Sequence, residues 1–253
     1  MTFLKFDKAE LVNLEYSLSR EAIRSNRAGS YASFTISGCN TRKYHGLLIS
    51  PLDNFGGEKH VLLSSLDVTV IQHEKEFNLG IHKYEGDLYI PRGHKYIRDY
   101  DAELGSKTIY RVGGVVLKRE SMLVQHQEQI LIKFTLEEAN SDTTLRFKPF
   151  LAFRSIHKLS KANLYADRHY SPIENGISSR LYDGYPDLHM QFSKKVEFVP
   201  VPDWYNNIEY IEEQKRGYEF KEDLYVPGYF ELQLRKVNQL YFQPLQHWLQ
   251  PEV

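Results

Sequence analysis

Cysteine is almost absent from this chain, since Cys39 is the single one among 253 residues. One thiol cannot form an internal disulfide, and it excludes a structural zinc site built from several thiolates. A chain with so little cysteine is typical of a reducing compartment. We therefore predict a cytoplasmic protein.

Long apolar runs and an excess of one charge sign are also missing. No stretch approaches the roughly 20 apolar residues of a membrane span, and the first ten residues, MTFLKFDKAE, lack the apolar core of a secretion signal. Lys and Arg number 32 against 33 Asp and Glu, so no global field favours nucleic acid or anionic lipid. We expect neither a nucleic acid nor a membrane as a partner.

Signature motifs of several enzyme classes are lacking as well. The sequence has no G-x-S-x-G elbow, no G-x-G-x-x-G and no phosphate loop, and HEKEF at His73 lacks the second histidine of a zinc-protease helix. No motif supports a metal site or a cofactor, and we expect neither.

Strand patterns dominate what is present. Hydrophobic residues make up 42% of the chain, with 18 Tyr and 14 Phe, which is enough apolar mass for a core. About ten short runs are rich in β-branched and aromatic residues. They are SYASFTI, HGLLISP, HVLLSSLDVTVI, TIYRV, VVLKRESMLV, QILIKFTL, TLRFKPFLAF, LHMQF, KKVEFVPV and GYFELQL. We predict a mainly β protein of two packed, mostly antiparallel sheets with little helix.

Turn and helix signals refine this prediction. Gly113-Gly114 and Asp183-Gly184 are suited to chain reversals between strands. One amphipathic helix is expected in AELVNLEYSLSREAI, while YNNIEYIEEQKRG fits either a helix or an irregular edge. Because composition shows no break and no linker, we predict a single domain over residues 1–253.

A polar segment lies between two runs that read as core strands. Residues 40–45 are NTRKYH, between SYASFTI and HGLLISP. Asn40 and Thr41 can satisfy turn backbone, and Arg42 offers a planar fork of donors, with Tyr44 and His45 beside them. Such a cluster either braces a loop or faces a polar ligand or partner.

Other residues are candidates for catalysis. Cys39 with His45 can be read as a nucleophile and base, or as a half-buried thiol in a turn. Glu222-Asp223 is one available carboxylate pair, but adjacent residues of a strand point to opposite faces, so we assign no catalytic residue. Glu212-Glu213 is open to the same objection, and Asp99 with Asp101 is a further available pair, although such neighbouring charges are usually just solvated.

Arg154 and His157 form a further candidate pair. Three positions separate them in FLAFRSIHK, so both can emerge from one strand end and line a cleft, or lie separately at the surface.

The run GSYASFTISGCNTRKYHGLLIS resembles the N-terminal domain of bacterial and archaeal glycogen debranching enzymes, whose pattern is G-x-Y-x-S-x-T-x-x-G-x-N-T-R-x-Y-H-G-L-L. Three further segments resemble the same family in the same order, and together they span nearly the whole chain. They are YRVGGVVLKRE, PFLAFRSIHKLSKAN and RGYEFKEDLYVPGYFEL. Cys39 is a departure, because the family commonly has a small residue there, which argues further against a nucleophile.

The resemblance implies a supersandwich-like β-domain that precedes an α-helical toroid with amylo-α-1,6-glucosidase chemistry. The catalytic carboxylates are attributed to that toroid, so this chain alone is expected to be inactive and to end before the catalytic domain. The leading hypothesis is a non-catalytic domain that positions α-glucan, such as glycogen or a maltooligosaccharide, and braces the toroid. The residues placed at the glucan-facing or domain-facing surface are Asn40, Thr41, Arg42, Tyr44, His45, Arg154, His157, Arg216, Glu222 and Asp223.

Two alternatives stay open. One is a structural or docking module without sugar affinity, which a large exposed apolar patch would favour. The other is an independent glycoside hydrolase that uses Glu222 and Asp223. A 4-α-glucanotransferase is discounted, because the alternating strands and helices of a (β/α)₈ barrel are not seen.

Overall fold

The computed structural model describes residues 4–102, 105–235 and 239–246, and strands account for most of them. The helices are α1 (Lys8–Val12), α2 (Leu14–Leu18) and α3 (Ile211–Lys215). In chain order the strands are β1 (Lys5–Phe6), β2 (Glu21–Ser25), β3 (Tyr31–Thr35), β4 (Gly46–Leu52), β5 (Glu58–Gln72), β6 (Lys75–Asn78), β7 (His82–Tyr84), β8 (Leu88–Ile90), β9 (Ile97–Asp101), β10 (Ser106–Val112), β11 (Val115–Leu123), β12 (Ile130–Glu138), β13 (Thr143–Ser155), β14 (Tyr170–Ile173), β15 (Gly176–Ser179), β16 (Leu188–Phe192), β17 (Glu197–Val199), β18 (Asp203–Glu209), β19 (Lys221–Val226), β20 (Tyr229–Leu234) and β21 (Gln239–Leu245).

Two large antiparallel sheets contain nearly all of these strands. The first sheet has the order β1-β9-β10-β11-β12-β21-β16-β15-β14. The second has the order β17-β20-β13-β5-β4-β3-β2, with β6 beside β5 and the pair β18-β19 joined to β13. Strands β7 and β8 form a separate hairpin. The prediction of a mainly β, sandwich-like domain with little helix is confirmed.

Aromatic side chains fill the space between the two sheets. Phe134 and Phe192 come from the first sheet, and Phe147 and Phe230 come from the second. The ring centroids of Phe134 and Phe147 are 5.0 Å apart, as are those of Phe192 and Phe230. All four side chains are buried. Because the inner faces interdigitate in this way, one core unites the sheets.

The second sheet is also covered on its outer side. A smaller apolar cluster, with Ile49, Phe150, Ile208 and Leu224 among its members, packs where β18 and β19 fold over β4, β5 and β13. A strand buried on both faces reads as a continuous apolar run and not as an alternating one. This is why HGLLISP lacks polar alternation.

The turn predictions and the helix predictions had different outcomes. Gly113 and Gly114 form the two-residue turn between β10 and β11, both with positive φ, so this reversal is confirmed. Asp183-Gly184 lies in the longer connection between the paired strands β15 and β16. The prediction of a single helix in AELVNLEYSLSREAI is wrong. This segment contributes to two five-residue helices, which are capped by Asp7 and Asn13, and its last residues begin β2.

The segment YNNIEYIEEQKRG fitted either a helix or an irregular edge. In the structure it contains the end of β18 followed by α3. Within the described part of the chain, no helix has the length and apolarity needed to cross a bilayer.

Candidate functional site

Residues 40–45, here called the polar loop, form a compact turn that closes on itself between β3 and β4. The backbone N–H of Thr41 donates to Nδ1 of His45 over 3.1 Å, and the N–H of His45 donates to the carbonyl of Arg42 over 3.0 Å. Gly38 enters the turn with φ of 84°, a conformation that glycine adopts without strain. The loop is therefore held rigidly by its own polar groups.

Asn40 points inward from this loop. Its amide donates to the backbone carbonyl and the hydroxyl of Ser64 over 3.3 and 3.2 Å. It also lines an interior cavity of about 40 Å³ with Asp67 and Arg119. Asn40 thus braces the fold, and its side chain is only partly exposed.

Arg42 ties the polar loop to two other elements. Its Nε donates to Glu21 of β2 over 2.7 Å, and its Nη2 lies 3.8 Å from the carboxylate of Glu212 in α3. His45 Nε2 lies 3.7 Å from the carboxylate of Glu21, a distance longer than that of a hydrogen bond. His45 and Arg42 together lower the pKa of Glu21 to about 2.

Cys39 and His45 do not form a nucleophile and base. Both are buried, and His45 Nδ1 already accepts a hydrogen bond from Thr41. Burial raises the pKa of the Cys39 thiol to about 12, so the thiolate is scarce at neutral pH. The alternative of a structural thiol in a turn fits these facts.

Glu222 lies at the centre of a buried hydrogen-bond network behind the polar loop. Its carboxylate accepts hydrogen bonds from Nε and Nη2 of Arg154, from the Tyr210 hydroxyl, and from the N–H and hydroxyl of Ser160. Arg154 Nη2 also donates to the backbone carbonyl of Lys43 over 2.9 Å. Burial disfavours the charge on Arg154, but Glu222 outweighs burial and keeps the pKa above its usual value.

A β-bulge in β13 directs Arg154 into this network. The pairing of β13 with β5 shifts register between Leu151 and Arg154, and Phe153 within that interval has φ of 48°. A bulky residue in this region is strained, and such bulges turn side chains at the edges of sites. His157 lies in the turn two residues beyond the end of β13, so it does not share a strand face with Arg154.

Asp223 anchors one loop and the irregular part of β18, and it does not pair with Glu222 as an acid. One carboxylate oxygen accepts the N–H of Asn207 over 2.7 Å, and the other accepts the N–H of Ala162 over 2.9 Å. Glu222 and Asp223 both use their oxygens to hold backbone and side chains in place. Their geometry therefore gives no support to an independent hydrolase.

Arg216 closes the C-terminal end of α3. Its Nη2 contacts Glu213 over 2.6 Å, and its Nε donates to the carbonyl of Glu212 over 3.0 Å. The N–H of Glu212 in turn donates to the carbonyl of Thr41 over 3.0 Å. Helix α3 is thus fastened to the polar loop.

Outside this network lies a surface, here called the aromatic rim, that is formed by the exposed side chains of His157 and Tyr218 and the half-buried side chains of Lys43 and Tyr44. The Lys43 ammonium lies 5.4 Å from the ring centroid of Tyr44 and 5.8 Å from that of Tyr218. The Tyr44 and His157 rings meet edge to face at 5.9 Å. Tyr218 is 58% exposed. The rim therefore presents aromatic groups and a cation to solvent.

The structure divides the residues selected from sequence into two groups. Tyr44 and His157 lie in the rim, and Arg42 and Arg216 are partly exposed beside it. The buried supporting residues are Thr41, His45, Arg154, Glu222 and Asp223, with Asn40 half-buried. Their functional role stays a prediction.

Several residues of this site were not singled out from the sequence. Lys43 and Tyr218 stand inside the segments 40–45 and 216–223, which are assigned to this surface from the sequence as segments, and that position was the signal that pointed to them. Ser160 stands inside PFLAFRSIHKLSKAN, one of the segments that carry the family resemblance. Glu21 and Tyr210 had no local signal, because only the fold brings them to the polar loop and Glu222. Among the residues that the structure describes, no cluster of three or more His, Cys, Asp or Glu side chains suits a metal ion.

Comparisons with known proteins give one family match. The family model described as glycogen debranching enzyme N terminal matches residues 20–241. No curated protein matches the sequence.

Similar solved structures are distant. A heparan sulfate lyase HepC mutant from Pedobacter heparinus has a TM-score of 0.43 at 10% identity, over 93% of this chain and 37% of that one. A bacterial glucoamylase complexed with acarbose has a TM-score of 0.43 at 5% identity, over 91% and 31%. A polysaccharide lyase has a TM-score of 0.32 at 10% identity, over 90% and 32%. This chain therefore spans about a third of the length of these structures.

Proposed function

Because this chain belongs to the glycogen debranching enzyme N-terminal family, we propose that it is a non-catalytic β-domain that positions α-glucan and braces a catalytic domain. In this proposal residues 1–253 act as one domain in the cytoplasm. The α-1,6 branch linkage would be hydrolysed by two carboxyl groups through an oxocarbenium-like transition state. Those acids are assigned to the catalytic domain, so this chain delivers the bond without cutting it.

The aromatic rim is the observation that carries the glucan-positioning role. Tyrosine rings stack on the apolar faces of sugar rings, while Lys43 and His157 supply polar groups for hydroxyls. The rim is supported from below, since Arg154 holds the Lys43 carbonyl and Glu222 holds Arg154. A site that is rigid before binding loses less entropy when a flexible chain docks on it.

We would test this role by titrating the protein with maltoheptaose and with a branched limit dextrin, followed by NMR and calorimetry. Tyr218→Ala should weaken maltoheptaose binding roughly five- to tenfold, because one stacking face is lost. Tyr165→Ala is a matched control, since Tyr165 is 91% exposed but lies outside the rim. Product analysis on the same samples should find no released glucose.

Two outcomes would overturn this role. Absence of binding in the low-millimolar range would remove the glucan-positioning function and leave the domain-bracing one. Release of glucose by the purified chain would contradict a non-catalytic domain.

A docking module without sugar affinity is the second candidate function. Leu164 and Tyr165 are 93% and 91% exposed, side by side on the loop between β13 and β14. Large apolar side chains this exposed on an ordered loop favour a protein contact. Co-expression with a helical catalytic domain of the same family should show co-purification that Leu164→Ser with Tyr165→Ser reduces and that Tyr218→Ala leaves unchanged.

A further inference from the structure

A second surface site lies on the outer face of the first sheet, whereas the polar loop joins two strands of the second sheet. A groove of about 430 Å³ crosses strands β10, β11, β12 and β21. Sites for small organic ligands commonly have volumes of roughly 300 to 1,000 Å³. None of the residues selected from the sequence contributes to this groove, apart from Asp101 at its margin.

Cross-strand pairing places a row of charged and aromatic side chains along the groove. Lys107 stands opposite Glu120, Glu120 opposite Lys133, and Lys133 opposite Tyr241. Side chains directly opposite each other lie on the same face of a sheet. Because Ile132 and Phe242, the neighbours of Lys133 and Tyr241, point into the core, this row faces solvent.

The row alternates in charge and ends on an aromatic ring. Lys107 lies 3.4 Å from Asp101, and the Lys133 ammonium lies 5.7 Å from the centroid of the Tyr241 ring. Acidic and basic groups are therefore balanced within the groove. Such a surface offers hydrogen-bond donors and acceptors without a field that would attract a polyanion.

A second row supplies an apolar floor. Met122 of β11 stands opposite Leu131 of β12, both on the face that carries Glu120 and Lys133. Met122 is 54% exposed, and both residues line the groove together with Tyr241. The groove therefore combines its charged side chains with an aromatic ring, a thioether and an isobutyl group.

We infer that this groove is a binding site for a neutral oligosaccharide, separate from the aromatic rim. A sugar ring has an apolar face for Tyr241 and Met122 and a margin of hydroxyls for Lys107, Glu120 and Lys133. A protein partner would need a contact of roughly 800 Å² on this side, which is large for one groove. The carbohydrate class follows from the groove itself, and the choice of α-glucan as first probe rests on the proposed function.

The test is a maltoheptaose titration followed by two-dimensional NMR, with isomaltotriose and cellopentaose as further probes. Tyr241→Ala should weaken binding at the groove roughly five- to tenfold, whereas Tyr241→Phe should keep the affinity within about twofold, because the stacking ring remains. Met122→Glu provides a second variant that does not disturb the core. Ile23→Glu is its matched control, since Ile23 is 63% exposed on β2, outside the groove.

The outcomes separate this inference from the proposed function. If Tyr241→Ala and Met122→Glu remove one of two binding events and Tyr218→Ala removes the other, both are supported. If Tyr218→Ala removes all binding and the groove variants change nothing, the groove inference is overturned while the proposed function stands. Loss confined to the groove variants supports the groove and contradicts glucan binding at the rim. The absence of shifts around Tyr241 with all three probes overturns the inference.

Discussion

At the scale of single residues, Glu222 is a fully buried carboxylate whose partners come from separate segments of the chain. Arg154 lies near the end of β13, Ser160 lies in the following loop, and Tyr210 precedes α3. Burial and the neighbouring Glu222 charge keep the pKa of Tyr210 well above its usual value, so the phenol stays protonated and donates. A buried ion pair of this kind gives little net stability, but it is costly to break on one side only.

Glu222→Leu should lower the free energy of unfolding by about 3 to 5 kcal/mol, because Arg154 then remains buried without its carboxylate. The double variant Arg154→Met with Glu222→Leu should recover much of that loss, since no unpaired charge is left. Urea denaturation of the three proteins measures both values. A loss below about 1 kcal/mol in the single variant would show that the network is not a coupled unit.

Glu21 should make stability depend on pH in the acid range. Its pKa is lowered from 4.5 to about 2 in the folded protein, so its contribution is complete above pH 4.5 and is lost as pH falls through 2. Because Glu21 is partly exposed, we expect it to contribute no more than about 1 kcal/mol to the free energy of unfolding.

Unfolding of the protein and of Glu21→Gln, compared at pH 7, 4.5, 3 and 2, gives the measurement. The difference between the two proteins should be constant down to pH 4.5 and should shrink below it. A difference that grows on acidification contradicts the lowered pKa.

At the scale of elements, the connection between β13 and β14 is a long loop that the structure fastens at several points. Asp223 accepts the N–H of Ala162, and the Asn163 side chain accepts the N–H of Tyr165 and of Ala166 while donating to the Tyr182 hydroxyl. Each of these contacts satisfies a backbone or side-chain group that a surface loop would otherwise leave to water. The loop therefore presents Tyr165 in a defined position.

Asn163→Ala should loosen this loop with little effect on the rest of the fold. We expect faster amide hydrogen exchange at Tyr165 and Ala166, because both lose their acceptor, and a change in global stability of about 1 kcal/mol or less. Lys158→Ala, at an exposed position of the same loop, serves as the control. Unchanged hydrogen exchange at both amides would mean that the Asn163 side chain does not hold the loop in place.

At the scale of the whole molecule, the two sheets share one aromatic core. Phe147 of the second sheet contacts both Phe134 and Phe192 of the first, with centroids 5.0 and 5.2 Å apart. Because neither sheet can bury its inner face without the other, we propose that they fold as one cooperative unit.

Phe147→Ala should therefore destabilise both sheets together, by about 3 to 5 kcal/mol. Hydrogen exchange on β11 and β12 of the first sheet and on β5 and β13 of the second should report the same loss of protection. Phe77→Ala, which removes a half-buried ring on β6, should lower the free energy of unfolding by less than Phe147→Ala does. A loss of protection limited to the second sheet would show two separate folding units.

Local pattern was sufficient for the strands and for one hairpin. Runs such as SYASFTI and QILIKFTL became β3 and β12 because β-branched and aromatic side chains fit a half-buried sheet surface. Gly113-Gly114 formed the expected reversal because both positions need positive φ. The first helix was overestimated, since Asn13 caps a second helix and pairing with β3 recruits residues 21–25 into a sheet.

The sequence by itself determined the mainly β class and the family, because strand periodicity and the spacing within residues 30–48 are local properties. Tertiary structure alone decided which polar residues face solvent and which brace the interior. Arg154 and Glu222 are 68 positions apart, and they meet only because β13 pairs with β19 and a bulge turns the arginine inward. The groove that ends on Tyr241 has the same origin, since strand order between distant segments is set by the burial of both sheet faces and not by neighbours in the chain.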